Sequence, residues 1–404
     1  MTVVEFFINS PLENMISCLS MKPDKVIFVG EGRKMRRFVS IYESVARRLG
    51  INSVFEIKVA PKNNITALTE ALFEIVETEE DCCFDLTGGE DLALVAMGIV
   101  FQTYNGIKNI QMQRFNINTG RIIDCDNDKE TPSVYSDVAL SVKEYIELFG
   151  AKITDFVRYE SKRDKDLDKL WSVCRTKPVA WNKLINLLGQ ASTTVFDKNN
   201  KNRVVIDIKQ CFKIFGNSYK FEEILSFIKS LAKENLVKDV VETRETLSFV
   251  YGSPTVKKCL TKAGDILELK VLSAAVRLTD DHGAPFFSDA ASGVVIDWDG
   301  VHGFGSTFDG SVNEVDVVLV KGMIPIFISC KNGSVDEGEL YKLATVADKF
   351  GGKYAKKLLV LTNFKKKGYS REYFLQRAKD MGIRVIDNFR RLSEKDFSYI
   401  LKNL

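Results

Sequence analysis

The chain has 404 residues, 45% hydrophobic and 27% charged, an ordinary balance for a globular protein with room for two or three domains. A formal net charge of +3 excludes any argument for nucleic-acid binding from charge alone, so the clusters Arg33–Lys34, Arg36–Arg37 and Lys365–Lys366–Lys367 read first as solvated surface. No apolar run approaches the roughly 20 residues of a membrane span, and eight cysteines without a C-x-x-C pair, beside two histidines, argue against a zinc site and for a reducing cytoplasm.

From the start, M-T-V-V-E-F-F-I-N-S-P has no basic segment ahead of an apolar one, so it reads as a strand, Val3–Ile8, and not as a signal peptide. Ser10 with Glu13 spells a capping box, and Pro11 suits the first helical position. Strand Lys25–Val29, helix Met35–Leu49, strand Val54–Val59 and helix Thr66–Thr78 follow. Strand Cys82–Leu86 then runs through T-G-G-E-D into an apolar helix, Leu92–Gln102. Ile110–Phe115 and Arg121–Cys125 close the set. Such alternation over residues 1–150 predicts a parallel, Rossmann-like α/β sheet.

Ligands of open α/β sheets bind beyond the carboxyl ends of the strands. Two loops lie there: Asn9–Ser10, and Asp85–Leu86–Thr87–Gly88–Gly89. Paired glycines let backbone N–H groups converge ahead of a helix N-terminus, which suits a phosphate; a plain strand-to-helix turn accounts for them equally well. Gly30-x-Gly32 lacks the third glycine of a dinucleotide fingerprint. The Asn-Ser loop after the first strand, the T-G-G turn after the fourth and the length of the segment resemble a CRISPR-associated Rossmann-fold (CARF) domain. That resemblance implies a homodimer binding a cyclic oligoadenylate second messenger through Asn9, Ser10, Asp85, Thr87, Gly88 and Gly89. A two-fold cyclic tetranucleotide would meet each loop twice across an isologous dimer. Glu90–Asp91 stand where the family often has Thr-Lys; the alternatives are that they reduce affinity, contact the sugars or belong to the helix cap.

Residues 151–255 begin with a polar run, Glu160 to Lys169, read as linker or exposed helix. Helices Ala180–Leu188 and Phe221–Asn235 precede strands Val237–Val241 and Leu247–Tyr251, an order that resembles a winged-helix module. Without a basic stripe on the Phe221 helix, a spacer role comes ahead of DNA binding.

The last part, 256–404, turns on Asn313 to Lys331, N-E-V-D-V-V-L-V-K-G-M-I-P-I-F-I-S-C-K: two strands and a tight turn at Lys321–Gly322. Alternation sends Val315, Val317 and Leu319 to one face and Glu314 and Asp316 to the other. Pairing Val320 with Met323 sets Asp316 opposite Phe327 and Glu314 opposite Ser329, gathering Glu314, Asp316, Ser329 and Lys331 on one face. The wet side of an ordinary hairpin explains such charges too. Upstream, Asp265 could cap a helix that carries Glu268 in its first turns. Helical acid, Glu-x-Asp strand and strand ending in Lys resemble the PD-(D/E)xK nuclease superfamily, with Ser329 in place of its third acid. The resemblance implies a restriction-endonuclease-like core in which Asp316, with Glu314 or Glu268 and the Cys330 carbonyl, holds Mg²⁺ or Mn²⁺, and Lys331 completes the catalytic set. Asp297, Asp299 and His302, around the glycine-rich stretch Gly300–Gly310, are expected at the edge of that site. Helix Val335–Phe350, with Glu339 off its apolar stripe, strand Leu358–Thr362, helix Arg371–Met381 and strand Arg384–Ile386 complete the core.

The two halves together resemble the CARF-nuclease effectors of type III CRISPR defence. The implied activity is cyclic tetra-adenylate-activated, metal-dependent endonucleolytic cleavage of DNA, with RNA as a second candidate substrate. Two rivals stand beside it: a CARF–winged-helix transcriptional regulator with an inactive nuclease fold, and a constitutive nuclease whose Rossmann part only dimerises.

Overall fold

The computed structural model describes residues 1–135, 137–160, 164–189, 194–196, 201–215, 221–262, 264–300, 312–333, 335–364 and 368–404. They divide into two compact units. The first holds Met1–Phe156, Thr279–Phe327 and Tyr341–Lys357, the second Val157–Leu278, Ile328–Leu340 and Leu358–Leu404. Among the described residues no helix is long and apolar enough to cross a membrane.

Strand and helix alternate from the N-terminus: β1 (Thr2–Phe6), α1 (Pro11–Met21), β2 (Lys25–Gly30), α2 (Gly32–Arg48), β3 (Val54–Val59), α3 (Ile65–Thr78), β4 (Asp81–Asp85) and α4 (Asp91–Tyr104). Strands β5 (Asn109–Asn116), β6 (Arg121–Asp124) and β7 (Lys129–Glu130) follow. They build a seven-stranded sheet in the order β3-β2-β1-β4-β5-β6-β7, parallel from β3 to β5 and antiparallel beyond. All five residues of β1 are buried, as expected of a central strand covered on both faces. On one face Val4, Phe6, Ile27 and Val29 pack with Leu68, Leu72 and Ile75 of α3 and Ala93, Met97 and Val100 of α4. The expected Rossmann-like sheet is therefore present.

The later elements are α5 (Val142–Leu148), β8 (Lys152–Arg158), α6 (Asp164–Thr176), α7 (Pro178–Leu188), β9 (Thr194–Phe196), β10 (Arg203–Asp207), α8 (Ile208–Phe215), α9 (Phe221–Lys233), β11 (Val237–Glu242), β12 (Thr246–Tyr251) and α10 (Pro254–Thr261). Then come α11 (Asp265–Val276), β13 (Asp289–Asp297), β14 (Val312–Lys321), β15 (Ile324–Lys331), α12 (Glu337–Gly351), a 3-10 turn at Gly352–Tyr354, β16 (Lys356–Leu361), α13 (Tyr369–Asp380), β17 (Ile383–Ile386) and α14 (Glu394–Lys402). In the second unit β9–β12 form a sheet ordered β11-β12-β10-β9, against which α9 turns Ile224, Phe227, Ile228 and Leu231 inward. A further sheet runs β17-β16-β15-β14-β13-β8. The helical alternative for the polar run Glu160–Lys169 holds from Asp164, where α6 begins, and β8 ahead of it belongs to a sheet.

Three local expectations are corrected. The hairpin turn lies at Gly322–Met323, one residue later than expected, because Gly322 at φ +57 takes the first central position, the place a type II′ turn gives to glycine. Asp265 is the first helical residue of α11 and not its cap, which is Gly264; its carboxylate lies 3.7 Å from Lys262 and 3.9 Å from Lys258. The Ser10–Glu13 capping box does not form, since Ser10 makes no side-chain cap bond and Glu13 is engaged elsewhere.

Candidate functional site

Strand β1 lies between β2 and β4, all parallel, so the order of the sheet reverses at the β1–β4 pair. The ends of adjacent strands whose connections depart in opposite directions leave a crevice, where α/β sheets bind their ligands. Both predicted loops leave from this point. The β1 loop is clamped by Asn14, 1% exposed, which accepts from the Ile8 N–H at 3.0 Å, donates to the Ile8 carbonyl at 2.8 Å and donates to the Tyr42 hydroxyl at 3.1 Å. Asn9 is exposed and Ser10 half-buried.

The β4 loop is shaped by Asp85, which is 1% exposed. It accepts from the Thr87 N–H at 2.8 Å and from the hydroxyls of Thr87 and Ser17. Burial pushes its carboxyl pKa up, against the lowering effect of those bonds. The Thr87 oxygen also accepts from the Phe115 N–H at 2.7 Å. Asp85 and Thr87 thus hold the turn in shape, leaving Gly88, Gly89 and the loop backbone facing the crevice. At Gly88 a Cβ would sit 3.3 Å from Ile8 Cδ1 and 3.6 Å from the Phe6 carbonyl, which brings the two loops into direct contact. Gly89, at φ +115, adopts a conformation open to glycine. Glu90 pairs with Lys62 at 2.7 Å, and Asp91 opens α4, where its charge favours the helix dipole.

Beneath these loops sits a residue that sequence reading passed over. Glu5 lies opposite Asp85 in the β1–β4 register, is 2% exposed, and neither of its carboxylate oxygens has a hydrogen-bond partner among the described residues. Burial first, and the Asp85 charge second, raise its pKa well above the carboxylate range. A raised folded-state pKa gives stability that is present below the unfolded value and lost as pH climbs through the folded one. Glu5→Gln is therefore expected to melt higher than the parent at pH 8 and to converge with it near pH 4. The gain is about 1.4 kcal/mol for each unit by which the folded pKa is displaced. Thermal melts across pH test this, and an unchanged or lower melting point at pH 8 contradicts it.

A cavity of about 330 Å³ opens beside Asn9 and Ser10 within the first unit, walled by Lys34, Phe38, Phe149 and the segment Asp348–Tyr354. In its floor Glu13 accepts from Lys353 at 2.8 Å and from the Tyr354 hydroxyl at 2.7 Å. The Glu13 bond holds the Lys353 ammonium above its ordinary pKa, and burial pushes the Tyr354 phenol up to about 12.

Of the nuclease-motif residues, Glu314 and Asp316 belong to the first unit, and Glu268, Ser329, Cys330 and Lys331 to the second. The β13–β14 register is continuous and sets Val295 opposite Glu314 and Val294 opposite Val315, so Glu314 and Asp316 share a face. That face is not the wet side of a hairpin: Val318 and Val320, of the same parity, are fully buried. The strand is covered on both sides, and the two acids stand at its more open end. In the second unit Glu268 is 7% exposed on α11, and Cys330 is buried. Lys331 ends β15 and pairs with Glu339 at 3.3 Å. Glu339 was legible only as a charge off the apolar stripe of its helix. Asp297 is buried, and the Asp299 carbonyl accepts from Arg37 at 3.2 Å. His302 and most of the glycine-rich stretch lie outside the described residues.

No group of three or more His, Cys, Asp or Glu able to hold a metal is found among the described residues. Two carboxylates on one strand face fit the more modest demand of a hard cation that keeps most of its waters and takes one or two protein carboxylates.

Neither a family model nor a curated protein sequence matches the chain. Solved structures do. Protein VC1899 from Vibrio cholerae has a TM-score of 0.74 at 18% identity, over 100% of this chain and 97% of that one. Can2 from Sulfobacillus thermosulfidooxidans, in complex with cyclic tetra-adenylate, has a TM-score of 0.67 at 16% identity, over 100% and 98%. Over its whole length this chain shares the fold of these two proteins.

Proposed function

We propose that this chain is a cyclic tetra-adenylate-activated, metal-dependent endonuclease of the type III CRISPR kind. A CARF-like domain at 1–150 would be the sensor, a winged-helix-like module at 151–255 the spacer, and 256–404 the PD-(D/E)xK-like nuclease. The observation that carries the reading is the packing of Gly88 in the T-G-G turn against Ile8, the residue before Asn9–Ser10, at the point where the strand order reverses. The likeness in fold to Can2, solved with that same nucleotide, supports it.

Asp316, with Glu314 or Glu268 and the Cys330 carbonyl, would hold Mg²⁺ or Mn²⁺. Such an ion lowers the pKa of a bound water and stabilises charge on the scissile phosphate. Lys331 would donate to the developing oxyanion. Glu339, 3.3 Å from it, would act as a positioning residue that keeps the ammonium aimed. DNA is the expected substrate, with RNA as a second candidate.

A homodimer is part of the proposal. Helix α4 leaves directly from the T-G-G turn and exposes Leu92, Val95 and Ile99 on one face, at 39%, 51% and 43%. A second copy docked there would bring the two turns towards one two-fold ligand. Val95→Asp is expected to run as a monomer in size-exclusion chromatography with light scattering, and a parent that is itself monomeric contradicts this part of the reading.

The regulator reading has its own observation, the order α7, β10, α8, α9, β11, β12 with sheet order β10-β12-β11, which fits a winged helix. Against it, α9 opens with Glu222 and Glu223, which repel phosphate.

A further inference from the structure

Resting on the activator reading above, we propose that the 330 Å³ cavity beside Asn9 and Ser10 receives one adenylate unit of the activator, with Lys34, Lys349 and Lys353 as its phosphate contacts. The volume lies within the range of small-molecule sites and suits a single nucleotide better than a whole ring. Its lining combines the two chemistries a nucleotide needs. Phe38, Phe149 and Tyr354 offer aromatic faces for a purine. Lys34, Lys349 and Lys353 are all exposed at their heads, so they reach an incoming anion without burying a charge. Each ammonium already lies over an aromatic ring: Lys34 over Phe38 at 5.8 Å, Lys349 over Trp298 at 5.9 Å and Lys353 over Tyr354 at 5.0 Å. Of these rings Phe38 and Tyr354 line the cavity, so a base entering against either would find a cation beside it.

Asn9 and Ser10 border both the crevice and the cavity, so a ligand lying across the crevice has a continuous path into it. The lip is rigid. A Cβ on Gly351 would meet Ala355 Cβ and Pro325 Cγ at 2.7 Å, so the backbone at the end of α12 is packed as closely as glycine allows. Glu13 is the internal competitor. It holds Lys353 and Tyr354 with a carboxylate that is 7% exposed, and a ligand phosphate must share or displace that anion. Ligand entry would thus loosen the tie between α1 and the segment after α12, which places the regulation at a named contact.

The test is the affinity of the full-length protein for cyclic tetra-adenylate, measured by calorimetry with Lys349→Ala/Lys353→Ala, Glu13→Gln and Asn9→Ala/Ser10→Ala beside the parent. Lys349 is exposed, whereas Lys353 is one of two partners of the buried Glu13 carboxylate, so the first variant is expected to melt lower than the parent but stay folded, while binding at least about tenfold more weakly, with a shallower salt dependence. Glu13→Gln, which frees Lys353, is expected to bind about two- to fivefold more tightly. Parent-like affinity in Lys349→Ala/Lys353→Ala, alongside loss in Asn9→Ala/Ser10→Ala, overturns the cavity assignment and leaves the activator reading standing. No binding by the parent overturns both.

Discussion

Asp316→Ala is expected to abolish cleavage, by at least about 10³-fold, while leaving the melting point within a few degrees of the parent. The size of the loss follows from the role: removing a carboxylate that holds the ion takes away the lowered water pKa and the charge stabilisation together, worth several kcal/mol, and about 4 kcal/mol is a thousandfold. The mild effect on folding follows from position. Asp316 stands at the more open end of β14, while Val315, Val317, Val318 and Val320 supply the packing. Glu314→Ala shares the face and is expected to lose less, because Glu268 remains as the alternative second ligand. Cleavage retained by Asp316→Ala would sink the assignment of the motif, whatever the behaviour of the sensor.

The second large effect is expected from Asn9→Ala/Ser10→Ala, which should lose the response to cyclic tetra-adenylate, by about a hundredfold or more in the concentration giving half activation. Neither side chain supports the fold: Asn9 is exposed, and Ser10 makes no capping bond, the clamp on this loop being Asn14. Thr87 is a different case. Its hydroxyl serves the buried Asp85 and the Phe115 N–H, so Thr87→Val strands two buried partners and costs about 1–3 kcal/mol of stability for each. Thr87→Ser keeps that oxygen and is expected to keep the response. Titrations of activator against cleavage separate these cases. An Asn9→Ala/Ser10→Ala protein that responds like the parent removes the crevice from the account.

Much of this was legible before any coordinates. The strand and helix order of residues 1–104 follows from apolar periodicity, and the two proposed ligand loops from glycine and Asn-Ser chemistry at strand ends. The misreadings come from contacts that periodicity does not encode. Glu13 looked like a capping residue because Ser10 precedes it by three positions, but Lys353 and Tyr354, 341 residues on for the tyrosine, take its carboxylate. The Glu339–Lys331 pair was equally out of reach, since facing away from an apolar stripe says nothing about what a charge meets. The covered second face of β14 did have a signal. The unbroken run Val317–Val318–Leu319–Val320 is the pattern of a strand buried on both sides, and alternation among the acids drew attention away from it. Strands β8 and β10 escaped because charged and polar residues interrupt or flank their apolar positions.

The most direct test of the whole account is one cleavage assay in Mn²⁺ on supercoiled plasmid, single-stranded DNA and single-stranded RNA, each with and without cyclic tetra-adenylate, parent beside Asp316→Ala. The account predicts cleavage of DNA by the parent only when the activator is present, and none by Asp316→Ala. Cleavage independent of the activator would contradict the sensor, and silence of the parent on every substrate would contradict the nuclease.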